Sequence, residues 1–246
     1  MQIHERVHLV ASGAFGFDLS NPSDCHVYLI DGGSDWALID AGAGVVKGAL
    51  PHSLRERGFP ADRIRHLFVT HAHADHAGGS AELREALGLD AHAAPEVAAI
   101  LRRGDEVAAS VDIGKRQGTY TPDYVYEAVD VVHDIADGDR VTVGDVTVES
   151  IATPGHAVGH RAFLVDSIHR RDLFTGDTLL FGGEIILQNT WDCDLRSHLD
   201  SLRHLAEYDF DGLFPGHLTF SLQRGRRHLD SALAIMDRGG IPPGLF

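Results

Sequence analysis

Cysteine is scarce in this chain, with Cys25 and Cys193 the two among 246 residues. They could form one disulfide but no disulfide framework, and reduced thiols in a cytoplasm are the expectation. Basic residues are also in short supply. Lys and Arg number 21 against 36 Asp and Glu, a formal net charge of −15 with His neutral. That balance favours solubility and repels phosphate backbones, which argues against nucleic acid as the main partner. No apolar run is long enough to span a bilayer. The first twenty residues carry Glu5, Arg6 and Asp18 without a clean apolar stretch, so no secretory signal is expected. Low-complexity segments, short-period repeats and Pro/Ser-rich linkers are missing too. A cytoplasmic protein acting on a small molecule fits these absences, and self-association stays open.

Histidine, by contrast, is abundant at 17 residues. The chain is long enough to bury most of the surface it exposes when unfolded. With 43% apolar and 23% charged residues, it reads as one globular domain. Runs dense in Val, Ile and Leu predict strands at 26–30, 36–39, 66–69, 140–143, 146–151, 161–165, 172–174, 184–187 and 212–214. Helical spacing marks 79–87, 95–103, 195–207 and 224–237. Glu82 and Glu85 place acids early in the first of these helices, where the dipole favours them, and Gly88 stands where a glycine stop belongs. Strands and helices alternate, so a layered α/β sandwich is expected. Residues 104–127 are the least regular. They carry Tyr120, Tyr124 and Tyr126 and read as a lid or insert, lining a pocket or simply packed. Residues 239–246 read as an extended tail.

The centre of the chain is Thr70-His71-Ala72-His73-Ala74-Asp75-His76-Ala77-Gly78-Gly79, after one expected strand and before a helix. Four potential metal ligands lie within six residues. Positions two apart face the same side of an extended segment, so His71 and His73 can reach one ion. Asp75 and His76 follow as the chain turns, and small residues between them let the backbone fold tightly. Solvated loop histidines would be the bland reading in a His-rich chain. Three later turns weigh against it: Thr153-Pro154-Gly155-His156, Thr175-Gly176-Asp177 and Pro215-Gly216-His217 each end an expected strand with glycine before a metal-competent residue.

This set resembles the metallo-β-lactamase superfamily, nearest in spelling to its glyoxalase II-type dinuclear hydrolases. Residues 70–79 match the first metal motif of that family, and residues 153–160 (TPGHAVGH) resemble the second. Asp40 in Leu38-Ile39-Asp40-Ala41-Gly42 resembles an early aspartate that supports a ligand histidine. The resemblance implies an αββα four-layer sandwich. It also implies two divalent ions, zinc with iron or manganese as alternatives. His71, His73 and His156 would hold one ion, Asp75, His76 and His217 the other, and Asp177 would bridge them. Ions about 3.5–4 Å apart can share a hydroxide, because a metal brings bound water to a pKa of roughly 7. The implied reaction is attack on the carbonyl of a small thioester, ester or lactone, with Asp75 orienting the nucleophile. Asp40 and His160 are the expected supports of the ligands, with a plain turn and a buried structural histidine as their respective alternatives.

A mononuclear iron sulfur dioxygenase on the same scaffold is the alternative reaction class. A β-lactamase and a nuclease rank below it, given the missing secretory signal and the acidic charge. The stretch after His217 shows no basic helical region of the kind that binds glutathione in glyoxalase II, which argues against glutathione conjugates. His4, His8, His52, His169 and His228 read as surface residues, and His26, His66 and His92 as satisfied groups in or near strands. Cys193 reads as a buried thiol or a residue near a pocket mouth.

Overall fold

Val27, Tyr28, Leu29 and Ile30 are all fully buried. A run apolar on both faces belongs inside a sheet, and there it lies. In the computed structural model, which describes residues 1–130 and 132–245, the first unit of the chain, residues 1–135, is built on a six-stranded sheet. Its strands are β1 (Val7–Ala11), β2 (Val27–Asp31), β3 (Trp36–Ile39), β4 (Ile64–Phe68), β5 (Asp90–Ala93) and β6 (Val132–Asp134), in that spatial order. The first three pair antiparallel and the last four run parallel. Parallel neighbours need long crossovers. These are supplied by α1 (Ala49–Glu56), by the single turn α2 (Ala74–Ala77) with α3 (Ser80–Leu87), and by α4 (Pro95–Arg103) with α5 (Val111–Gln117). Gly88 does stop α3, in the left-handed region at φ 66°.

The second unit, residues 136–246, carries a five-stranded sheet ordered β11-β10-β9-β8-β7. Here β7 is Arg140–Val143, β8 Val146–Ala152, β9 Arg161–Ser167, β10 Arg170–Gly176 and β11 Gly212–Pro215. The first four form an antiparallel meander, and β11 joins β10 in parallel after the crossover helix α6 (Leu195–Leu205). Asp194 caps α6 by accepting the Ser197 amide at 2.7 Å. With α7 (Arg226–Met236), α6 closes a core that includes Ile151, Leu164, Leu173, Leu202, Leu213 and Leu229.

Several expectations needed correction. Residues 184–187 form no strand. Gly182 and Gly183 sit at φ 86° and 87°, which turns the chain, and Ile185 makes an isolated parallel bridge to Gly244. The Ile185 amide donates to Pro243 and the Leu245 amide donates to Ile185, so the tail packs on its own unit. The strands β1, β5 and β6 and the helices α1 and α2 were not expected, while α5 falls within residues 104–127, where a loop or a helical cap was the expectation. Asp90-Ala91-His92-Ala93 holds no β-branched residue, and α5 contains Gly114, a poor helix former. His228 is buried rather than exposed: it lies on the inward face of α7, accepts the Gly182 amide at 2.9 Å and packs on Phe181. Both cysteines are free thiols. Among the described residues, no helix is long and apolar enough to cross a membrane.

Candidate metal centre

The C-terminal end of β4 delivers Thr70 and the histidine run. Ligands in open α/β sheets gather outside the carboxyl ends of parallel strands. His71, His73 and His76 are buried, and their rings converge: the centroid of His71 is 4.7 Å from that of His73 and 4.1 Å from that of His76. Asp75 stays partly exposed and brings Oδ2 to 3.5 Å from His76 Nε2.

Asp40 sets which nitrogen each ring presents. Its carboxylate accepts the Thr70 amide at 2.8 Å and the Thr70 hydroxyl at 2.9 Å, and it accepts His76 Nδ1 at 2.7 Å. The Thr70 hydroxyl points its hydrogen at Asp40, so it accepts from His71 Nδ1 at 3.0 Å. Both imidazoles therefore carry hydrogen on Nδ1 and keep a lone pair on Nε2, the form a metal needs. Burial raises the Asp40 carboxyl above its usual range, and its bonds to His76 and Thr70 oppose that rise. Asp40 holds this position at φ 62°, a left-handed conformation that aspartate tolerates better than most residues. It is both a turn residue and a partner of His76.

Three residues outside the expected set support this loop. The Tyr124 hydroxyl donates to Ala43 at 2.7 Å. The Tyr126 hydroxyl donates to Ala72, between His71 and His73, at 2.8 Å. Cys25 donates its amide to the Asp75 carbonyl at 3.2 Å. Its thiol lies with Asp40 and His76, the three offering ligand atoms within 4.8 Å of one another, and burial pushes that thiol up to about 12. Gly78 is required here, because a Cβ would stand 2.2 Å from the Tyr124 hydroxyl. No local spacing announces these partners.

In the second unit three strand ends converge. Gly155, after β8, has φ 133°, and a Cβ there would fall 2.2 Å from the His198 amide in α6. The Gly216 amide donates to the Gly176 carbonyl at 2.8 Å, which ties the turn of Asp177 to that of His217. Asp177 Oδ2 lies 3.5 Å from His156 Nε2 and 3.5 Å from His217 Nε2. His156 donates Nδ1 to the Ile186 carbonyl at 3.1 Å, so its Nε2 also keeps a lone pair. His160 accepts the Asp177 amide on Nε2 at 3.2 Å, and its Nδ1 meets the Thr153 and Thr178 hydroxyls at 2.9 and 3.1 Å. That ring positions the aspartate turn and has no nitrogen left for a metal. His198, buried and unanticipated, donates Nε2 to the Thr178 carbonyl at 2.7 Å.

The donors of each unit are imidazole nitrogens and carboxylate oxygens, and in three of the rings Nδ1 is committed to a partner. This chemistry fits first-row divalent ions.

Comparison with known proteins agrees. The Metallo-beta-lactamase superfamily model matches residues 20–217, and the chain belongs to that superfamily. It is 30% identical over 194 residues to the thioesterase pkgB of Emericella nidulans, covering 78% of this chain and 45% of that one. It is also 30% identical over 194 residues to an atrochrysone carboxyl ACP thioesterase of Aspergillus fumigatus, covering 78% and 50%. The chain thus spans about half the length of these curated relatives. Among solved structures, a B3 metallo-β-lactamase with an active-site glutamic acid superposes with a TM-score of 0.71 at 19% identity, over 96% of this chain and 88% of that one. A Cronobacter sakazakii metallo-β-lactamase variant gives 0.69 at 24%, over 97% and 85%. The chain has the metallo-β-lactamase fold.

Proposed function

We propose that this chain is a dinuclear metallohydrolase that cleaves a small thioester, ester or lactone. In this reading His71, His73 and His156 hold one ion, Asp75, His76 and His217 hold the other, and Asp177 bridges them. The observation that carries it is the commitment of Nδ1 in His71, His76 and His156 to fixed acceptors. A purely structural cluster has no need to keep three Nε2 lone pairs in the same state. Bound divalent ions, with zinc first and iron or manganese next, supply Lewis acidity and acidify water at neutral pH.

The protein's own residues do the rest. Asp40 holds two imidazoles in one tautomer, and His160 fixes the turn that presents Asp177. Asp75 is partly open to solvent, so it is the carboxylate placed to orient the attacking water. The two fungal thioesterase relatives favour a thioester within the substrate class. A cytoplasmic location and the absence of nucleic acid among the partners belong to the same proposal.

Elemental analysis of protein purified without chelator or added metal, followed by a screen of acyl thioesters, esters and lactones, tests the reading. About two ions per chain and thioester turnover that chelator abolishes are expected. One iron per chain with oxygen uptake on a persulfide would overturn it in favour of sulfur dioxygenation.

A further inference from the structure

The three tyrosines of residues 104–127 have different fates. Two hydroxyls are committed to carbonyls, Tyr124 to Ala43 and Tyr126 to Ala72. The third is not: the Tyr120 hydroxyl makes no hydrogen bond to any of the described residues. Yet its ring is firmly seated. It stacks on Tyr124 with centroids 4.6 Å apart and planes 20° from parallel. On the α5 side Gly114 makes room for it, since a Cβ there would lie 2.5 Å from the Tyr120 ring. Tyr124 is in turn pinned between the Ala43 carbonyl and Gly78 of the ligand loop. Tyr120 is nine-tenths covered, yet its hydroxyl is not among the buried atoms left without a partner, so it keeps access to solvent and to a ligand.

The surroundings of that hydroxyl point in one direction. After burial, the strongest influence on Tyr120 is the charge of Asp75, with His76 and Cys25 also in range, and the phenol is held well above its ordinary range. Asp75 is the partly exposed member of the ligand loop, so donor and carboxylate share one electrostatic neighbourhood at its open side.

We propose that Tyr120 is a substrate-contacting residue, its hydroxyl donating a hydrogen bond to an oxygen of the bound acyl group and of the carboxylate product. The inference rests on the hydrolase reading for the identity of that ligand. Tyr120→Phe keeps the ring, its stack on Tyr124 and its fit over Gly114, and removes the donor alone.

The experiment compares wild type and Y120F in metal content, melting temperature, calorimetric binding of hexanoate, and kinetics on the hexanoyl thioester of N-acetylcysteamine. Unchanged metal and melting temperature are expected, with hexanoate binding weakened about tenfold and kcat/KM lowered by a similar factor, the loss expected for one hydrogen bond to a charged group. Equal hexanoate affinity in the two proteins overturns the proposal. So does a fall in melting temperature or metal content that accompanies the loss, because the residue would then be structural. A wild type that binds hexanoate but turns over no thioester refutes the hydrolase reading, while the binding comparison still decides the case of Tyr120.

Discussion

Asp40 shows how one residue carries several demands. It accepts from His76 and twice from Thr70, and it does so at φ 62°. Asp40→Asn keeps the left-handed turn and some of the acceptors but removes the charge that fixes the tautomers. Metal affinity should fall by about 10–100-fold with little change in melting temperature, as chelator competition would read. Asp40→Ala also strands buried donors in a strained turn, a loss of roughly 2–4 kcal/mol, visible in urea unfolding. The contrast between the two variants separates positioning from folding. Asp177→Ala should lose metal and hydrolysis together, by metal analysis and rate on the same preparation; two retained ions with a full rate would remove Asp177 from the ligand set. His52, exposed on α1, is the control, and its alanine variant should be silent in both assays.

At the scale of elements, three parallel strands present His66, His92 and His133 side by side. His66 Nδ1 meets His92 Nε2 at 3.2 Å, and the His92 and His133 centroids are 5.4 Å apart. Burial first, and then the two neighbouring imidazoles, lower His92 to about 4. The unfolded chain, with an ordinary histidine near 6.5, binds more protons than the native state between these values. This contribution to stability is complete above about pH 6.5, declines as pH falls, and is exhausted near pH 4. A shift of that size is worth about 3 kcal/mol at most. Urea titrations across pH 7 to 4 should show the decline, and His92→Gln should flatten it. The glycine turns pose a second test at this scale. Gly155→Ala combines an unfavourable φ with a contact against the α6 backbone, so it should displace His156 and reduce metal binding more than it reduces helix content by circular dichroism.

For the whole molecule, metal binding and folding are linked. In the proposed site the ligands are drawn from residues between His71 and His217 and could meet only in a folded chain, so an ion that binds the native form would stabilise it by mass action. The melting temperature should rise with added zinc and fall in chelator, and a midpoint indifferent to both would count against a resident metal. The charge of −15 acts at the same scale. Such a charge disfavours contact with phosphate backbones, and a gel-shift assay with duplex DNA at moderate salt should show no complex.

The sequence by itself determined the strands and turns that present the motif residues. Apolar runs such as 146–151 and 161–165 are local signals, and a glycine before His156, Asp177 or His217 marks a turn without reference to anything distant. The superfamily was legible for the same reason. β5 was not, because Asp90-Ala91-His92-Ala93 becomes a strand only through pairing with β4 and β6 on either side. Nor was the division of labour around the candidate ligands. The bond from Asp40 to His76 joins residues 36 apart, and that from Tyr126 to Ala72 joins residues 54 apart. Such bonds depend on side-chain positions that chain packing alone creates, so tertiary structure decided which nitrogen each imidazole presents and which tyrosine hydroxyls are committed to carbonyls.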